Sequence, residues 1–286
     1  MRALAVARMA LSELVERRIV QILGASVAIF IVLSAWGFSR IPTFHSQNGA
    51  PIAHAAQMLA ASSILTFIMF LFMFVFAMGV SFLAASAVAT EVESGLAIGI
   101  LSRPIRRIEY IGGKWLGVCL AVLLGALPSL TLEFLVVYWT TGYAPPHPVA
   151  ALASFGVFGM LIATLALALG TRFGALASAI VGTLGFGLEW IAGITERLGV
   201  QYGNDALVNV TTVIGLALPT DSYWRAAQWA VQPTIISAAF NSREAYSKAG
   251  PLAGALPPTV AMMLWTTLWF LAVLILAMRG FARRDL

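Results

Sequence analysis

Two carboxylates stand where carboxylates are costly. Glu133 and Glu189 each lie inside a long apolar run, nearer one end of it than the middle. An acid near the centre of a bilayer costs a few kcal/mol or more, so such residues are functional candidates by default. The chemistry they offer is a polar station on a translocation path. The competing reading is a protonated or water-reaching acid that packs locally. Met69 and Met73 share a helix face, with Met78 nearby. Thioethers can bind soft metals such as Cu(I). No cysteine pair or histidine cluster joins them, and methionine far more often fills gaps between apolar helices. His45, His54 and His147 fall in predicted loops without metal-ligand spacing. No metal site is therefore expected. His-Glu-x-x-His and Gly-x-Ser-x-Gly are both absent, which removes the zinc-protease and serine-hydrolase templates. Gly112-Gly113-Lys114 lacks the earlier glycine and the hydroxyl residue of a phosphate-binding loop, so this chain does not hold ATP by that device.

The segment from Thr90 to Lys114 is the most informative. Thr90 and Glu93 stand at capping-box spacing, which predicts a helix starting there and running to about Leu101. Glu91 and Glu93 fall in its first turn, where the helix dipole favours acids. Ser102-Arg103-Pro104 breaks that helix, and Pro104 suits the first position of the next. A basic cluster follows: Arg103, Arg106 and Arg107. Gly112-Gly113 offers a flexible joint. The plainer alternative is an ordinary basic loop beside a membrane.

These residues need elements to position them. The chain has 286 residues, 60% hydrophobic and only 10% charged. A soluble domain carries about 25% charge, so the bilayer is the solvent that suits this composition. Six apolar segments can span about 30 Å of hydrocarbon: 19–38, 64–88, 115–140, 149–170, 175–194 and 259–278. The first ends in Trp36-Gly37-Phe38, which is no cleavage site, and it is expected to be a retained helix. Twelve of the 17 Lys and Arg residues fall on one predicted side, together with both termini. That predicts an N-in, C-in topology. The basic residues sit in short runs beside apolar segments, which is a topology signal and not a nucleic-acid groove.

Residues 1–18 precede the spans. Leu4, Ala7, Leu11, Leu14 and Val15 recur at helical spacing, with Arg8, Ser12 and Glu16 opposite. An amphipathic helix lying on the membrane surface is expected. Residues 195–258 form a long outer loop. Within it Ala206–Leu218 is apolar but too short to cross comfortably, so a re-entrant or interfacial helix is expected. Pro219-Thr220-Asp221 signals a further helix start, and Tyr223, Trp224 and Trp229 suit a membrane interface. The fold expected is all-α and polytopic, a single membrane domain over 1–286.

Three stretches resemble the permease subunits of ABC-2-type transporters. They are Glu91-Val-Glu-Ser-Gly95 with Leu101-Ser-Arg-Pro104 and Gly113-Lys-Trp-Leu-Gly117, then Leu218-Pro-Thr-Asp221 followed by Arg225, and the ending Phe281-Ala-Arg-Arg-Asp-Leu286. The second is similar to a motif of short, six-helix members, one of which is the membrane subunit of the copper-linked transporter that accompanies nitrous-oxide reductase. The resemblance implies that segment 90–114 is a coupling helix that docks into a separate ATPase. Glu91, Glu93, Ser94, Gly95, Arg103, Arg106 and Arg107 would face that partner. It also implies two ATPase copies holding the ATP and Mg²⁺, a second permease copy or a related permease, and an exporter in the inner membrane. No cofactor is expected in this chain. An ion-coupled secondary transporter, or a membrane scaffold that transports nothing, remains open at this point. The former would use Glu133 and Glu189, although no inverted repeat is evident.

Overall fold

The computed structural model describes residues 2–16, 18–43, 53–101, 105–234 and 259–283. Among them all regular structure is helical. The order is α1 (Arg2–Glu16), α2 (Arg18–Phe38), α3 (His54–Glu93), α4 (Leu96–Leu101), α5 (Arg107–Thr141), α6 (Pro148–Gly170), α7 (Ala175–Gln201), α8 (Asp205–Ala217), α9 (Asp221–Val231) and α10 (Val260–Ala282). A short 3₁₀ turn, Ile41–Thr43, follows α2. Six of these helices are long and apolar enough to cross a membrane: α2, α3, α5, α6, α7 and α10. The chain is a polytopic membrane protein.

Helix length sets the shape. At 1.5 Å per residue, the 40 residues of α3 reach roughly 60 Å, about twice the hydrocarbon thickness. Helix α5, with 35 residues, also overshoots. Pro128 lies inside it without ending it, as spanning helices tolerate. The overshoots build two polar ends. One holds α1, the end of α3, α4, the start of α5 and the end of α10, and is called here the basic end. The distal end holds α8 and α9.

Helix α3 is the central post, packed on α6 and α7, with α5 and α2 beside it. Small residues let the backbones approach, because lipid gives helices no hydrophobic reason to associate and close van der Waals contact must do so instead. A Cβ at Gly170 of α6 would stand 2.7 Å from the Ala85 carbonyl oxygen of α3, and one at Gly182 of α7 would stand 2.9 Å from the Ser81 hydroxyl. Phe72, Met69 and Met73 fill the buried centre of α3. The two methionines pack as core, while Met78 is exposed.

Several expectations shift. Helix α1 exists, but its apolar face packs chiefly on α5 instead of resting on the membrane alone. The buried stripe is Val6, Ala7, Ala10 and Leu14, and Leu4 is exposed. The cause is Gly117 of α5, where a Cβ would lie 2.8 Å from both the Ala10 Cβ and the Ala7 carbonyl oxygen. The helix turns its alanines to that notch. No helix starts at Thr90. Helix α3 continues to Glu93, and the Thr90 hydroxyl donates backwards to the Ser86 carbonyl instead of capping forwards. The stop comes at Gly95, whose φ of +74° only glycine adopts readily. The short helix is therefore α4 alone. Ser102-Arg103-Pro104 lies outside the described residues, and α5 begins later, at Arg107. Gly112 and Gly113 are both within that helix and form no joint. Trp224 is buried against Phe70, an aromatic core contact and not an interface belt.

The packing makes a paired prediction. Gly170→Ala presses a methyl against backbone that cannot yield, at a cost of about 1–3 kcal/mol. Gly187→Ala meets nothing within 4 Å and should gain about 0.5–1 kcal/mol from helix propensity. Thermal unfolding in detergent should show the first midpoint lowered and the second unchanged or raised. Equal midpoints would contradict the close α3–α6 approach.

Candidate functional site

The basic end is organised by a buried cation. Lys114, about two turns into α5, is 1% exposed. A lysine in an apolar interior must be paired. Its ammonium pairs with the Glu91 carboxylate of α3, itself buried, and reaches Glu13 of α1 at 3.3 Å. The Tyr110 hydroxyl donates to the other oxygen of Glu91. Tyr110 stacks on Phe281 of α10 with ring centroids 5.6 Å apart. Arg107 donates to the Ala282 carbonyl at 3.3 Å. One ammonium thus gathers α1, α3 and α5, and its neighbours add α10.

The other expected residues sort themselves around this knot. Glu93 is exposed and accepts the backbone N–H of Ala175 at 3.4 Å, at the N-terminus of α7. Ser94 is exposed and donates to the Thr90 carbonyl at 2.7 Å. Gly95 supplies the left-handed stop. Arg106 is exposed and precedes α5, where Glu109 accepts its N–H at 3.0 Å. Arg103 lies outside the described residues. Between α1 and the α3–α4 corner runs a groove of about 560 Å³, lined by Met9, Ser12, Glu13, Thr90, Glu91, Ser94 and Leu96. Met9 and Leu96 are both exposed there. Large apolar side chains on a polar ledge are what a partner's surface can cover. The structure therefore brings Glu91 and Ser94 into one groove with α1. It gives Glu91 a load that the capping-box reading did not suggest, because Lys114 lies 23 residues further along the chain. The signal available was a lysine at helical spacing from Tyr110, four residues earlier.

Glu133 and Glu189 do not meet in a shared site. Glu133 of α5 is fully buried and accepts a hydrogen bond from Ser34 of α2 at 2.9 Å. Its second oxygen has no hydrogen-bond partner among the described residues. Glu189 of α7 turns to the start of α9 and accepts the Thr220 hydroxyl and the Asp221 backbone N–H. Thr220 is thus spent on Glu189 and does not cap α9. Arg225 pairs with Asp221 one turn before it and with Glu196 of α7 at 2.9 Å. The loop after α5 holds the far end of α9: His147 donates its N–H to the Ala230 carbonyl at 3.0 Å, and the Tyr143 hydroxyl donates to the Val231 carbonyl. Burial holds the Tyr143 hydroxyl above its ordinary pKa. Trp265 and Trp269 of α10 donate to the Leu216 and Ala217 carbonyls, at 3.0 and 2.8 Å, and satisfy the end of α8. His54 is exposed and His147 stacks on Trp229 at 4.7 Å. Among the described residues no group of three His, Cys, Asp or Glu could hold a metal, and His45 lies outside them.

Residues 38–279 match the sequence model of a family described as ABC-2 family transporter protein. No curated protein matches the chain.

The lysine knot predicts a non-additive mutant cycle. Lys114→Met strands the Glu91 carboxylate, and Glu91→Gln strands the ammonium. Each should cost about 3–5 kcal/mol. The double variant removes both charges and should recover most of that loss. Unfolding midpoints of the three variants test this, and a double variant as unstable as the sum of the singles would contradict the pairing.

Proposed function

The chain belongs to the ABC-2 transporter family, and we propose that it is the membrane-spanning subunit of an ABC transporter driven by a separate ATPase chain. The observation that carries this is the family match over most of the six-span bundle. The absence of a phosphate-binding loop from the sequence supports assigning ATP and Mg²⁺ to a partner.

The groove between α1 and the α3–α4 corner is the proposed docking surface. The partner would cover Met9 and Leu96 and meet Ser94 in the groove, with Gly95 setting the angle of α4. Glu93, on the α7 side of α3, and Arg103, Arg106 and Arg107 are proposed to meet the partner outside the groove. Buried Glu91 has a different role. It transmits the load, because it ties α3 to Lys114 and so to α1 and α5. Closure of two ATPases would then rock two six-span halves, this chain and a second copy or related permease. Export is the direction proposed, from the resemblance of the Glu91–Gly117 segment to ABC-2 permeases. The charge bias supports an orientation with the basic end, α1 and both termini in the cytoplasm, and the inner membrane is the location proposed from the resemblance. Segments 1–18, 90–114 and 195–258 are read as parts of one membrane domain. Lipid surrounds the spans, and no nucleic-acid partner is proposed. Leu218-Pro-Thr-Asp221 with Arg225 supports placing the chain among the short, six-helix members. In this fold those residues form the Glu189–Asp221–Arg225 junction.

One experiment tests orientation and docking together. In a Cys119→Ala background, Ser94→Cys should stay unlabelled by an impermeant maleimide added to intact cells. It should label in inside-out vesicles stripped of the ATPase. Rebinding the ATPase should slow that labelling several-fold. Labelling in intact cells would reverse the orientation, and equal rates with and without the ATPase would remove the groove from the interface.

A further inference from the structure

At the distal end α7, α8, α9 and α10 enclose a cavity of about 430 Å³. Its two walls differ in kind. One is ionic, made by Glu189, Glu196, Asp221 and Arg225. The other is apolar, with Leu216, Met262 and Trp265. The single guanidinium is divided between Asp221 and Glu196. Glu189, 3% exposed, makes no ion pair among the described residues and is held by one hydroxyl and one backbone N–H. Among the described residues the wall therefore carries three carboxyl groups against one cation. Excess negative charge between apolar helices is unfavourable, and an arriving cation offsets it.

The shape selects among cations. The space is far larger than a bare ion needs and falls in the range of small-molecule pockets, about 300–1,000 Å³. An indole beside carboxylates suits an ammonium group, whose charge also favours an aromatic face. Glycine keeps the space open. A Cβ at Gly215 would meet nothing within 4 Å, while one at Gly193 would crowd Asp221 and Arg225 at 3.3–3.4 Å. Val210 and Val213 on the outward face of α8 are exposed, so that face is apolar beside the cavity.

We propose that this cavity binds an amphiphile bearing a protonated amine. The ammonium sits among Glu189, Glu196 and Asp221, and the hydrocarbon lies along Met262 and Trp265. The amine comes either from a phospholipid headgroup or from a free organic amine. This goes beyond the coupling described above and is independent of it, because the binding belongs to this chain without its ATPase.

The test uses the purified full chain in phosphatidylcholine nanodiscs, with thermal unfolding followed as octylammonium chloride is added. Octylammonium should raise the midpoint saturably, and 1-octanol, its neutral counterpart, should not. Glu196→Gln removes one carboxylate from the ionic wall and should weaken the apparent affinity about tenfold. Gly215→Leu fills the cavity without touching a charge and should abolish the response. Should Gly215→Leu fail to fold, Glu196→Gln carries the test. Adding phosphatidylethanolamine to the discs separates the sources. A raised starting midpoint with a blunted octylammonium response identifies the lipid headgroup, and an unchanged titration identifies a free amine. An equal shift with octanol, or an unaltered octylammonium response in Glu196→Gln, would overturn the proposal.

Discussion

A lysine ammonium buried among helices must be neutralised where it lies, and that requirement fixes the basic end of this protein. Lys114 cannot reach water at 1% exposure. Desolvating it is expensive, so the carboxylate opposite must be held in place as firmly as the lysine. Glu91 supplies the charge, Tyr110 steadies it and Glu13 adds a weaker, half-exposed contact. Helices α3 and α5 cannot shift against each other without breaking a buried ion pair, and α1 is tied to them by Glu13 and by the seating of Ala7 and Ala10 on Gly117. Apolar contacts slide and small residues pack, whereas this knot penalises relative motion of α3 and α5 at the basic end. The short helix α4 hangs from it across the Gly95 stop.

The distal end is held together differently. Its short helices cannot span, and their polar termini are satisfied one by one. Trp265 and Trp269 close the end of α8, Glu189 receives the start of α9, and the loop from Tyr143 to His147 receives its finish. Such an arrangement leaves space between its fastened points. The cavity beside Gly215 is that space. The two ends thus differ in kind: a buried ionic knot at the basic end, and a charged cavity at the distal end.

The spans were legible because twenty apolar residues have few alternatives to a membrane helix. The short helix at Ala206–Leu218 and the helix after Pro219 were legible too, from length and turn chemistry. What escaped were pairings set by tertiary contact. Thr90 offers the same hydroxyl to a forward cap or to a backward bond, and the unbroken apolar run of α3 decided for the second. Glu91 and Glu93 read alike as exposed acids, yet they sit on different sides of α3. One faces Lys114 and the other the start of α7. No local pattern distinguishes them, since the partner lies 23 residues further along. Trp224 read as an interface residue because its ring suits one, and only the position of Phe70 turns it inward. Glu133 and Glu189 were found by the cost argument alone. Their separate partners, Ser34 and Thr220, carry no sequence signal.

The central claim is that α1 and the α3–α4 corner move as one body because the Lys114 knot binds them. Double electron–electron resonance between spin labels at Ser12 and Ser94 measures this directly, in the assembled transporter with its copurifying ATPase, in a Cys119→Ala background. The account predicts that the Ser12–Ser94 distance distribution stays fixed between the nucleotide-free and ATP-trapped states. Over the same change, the distance from Ser94 to the equivalent label in a second permease copy should shift. A Ser12–Ser94 distribution that moves or broadens on ATP trapping would show α1 and α3 sliding past each other, and would contradict the account.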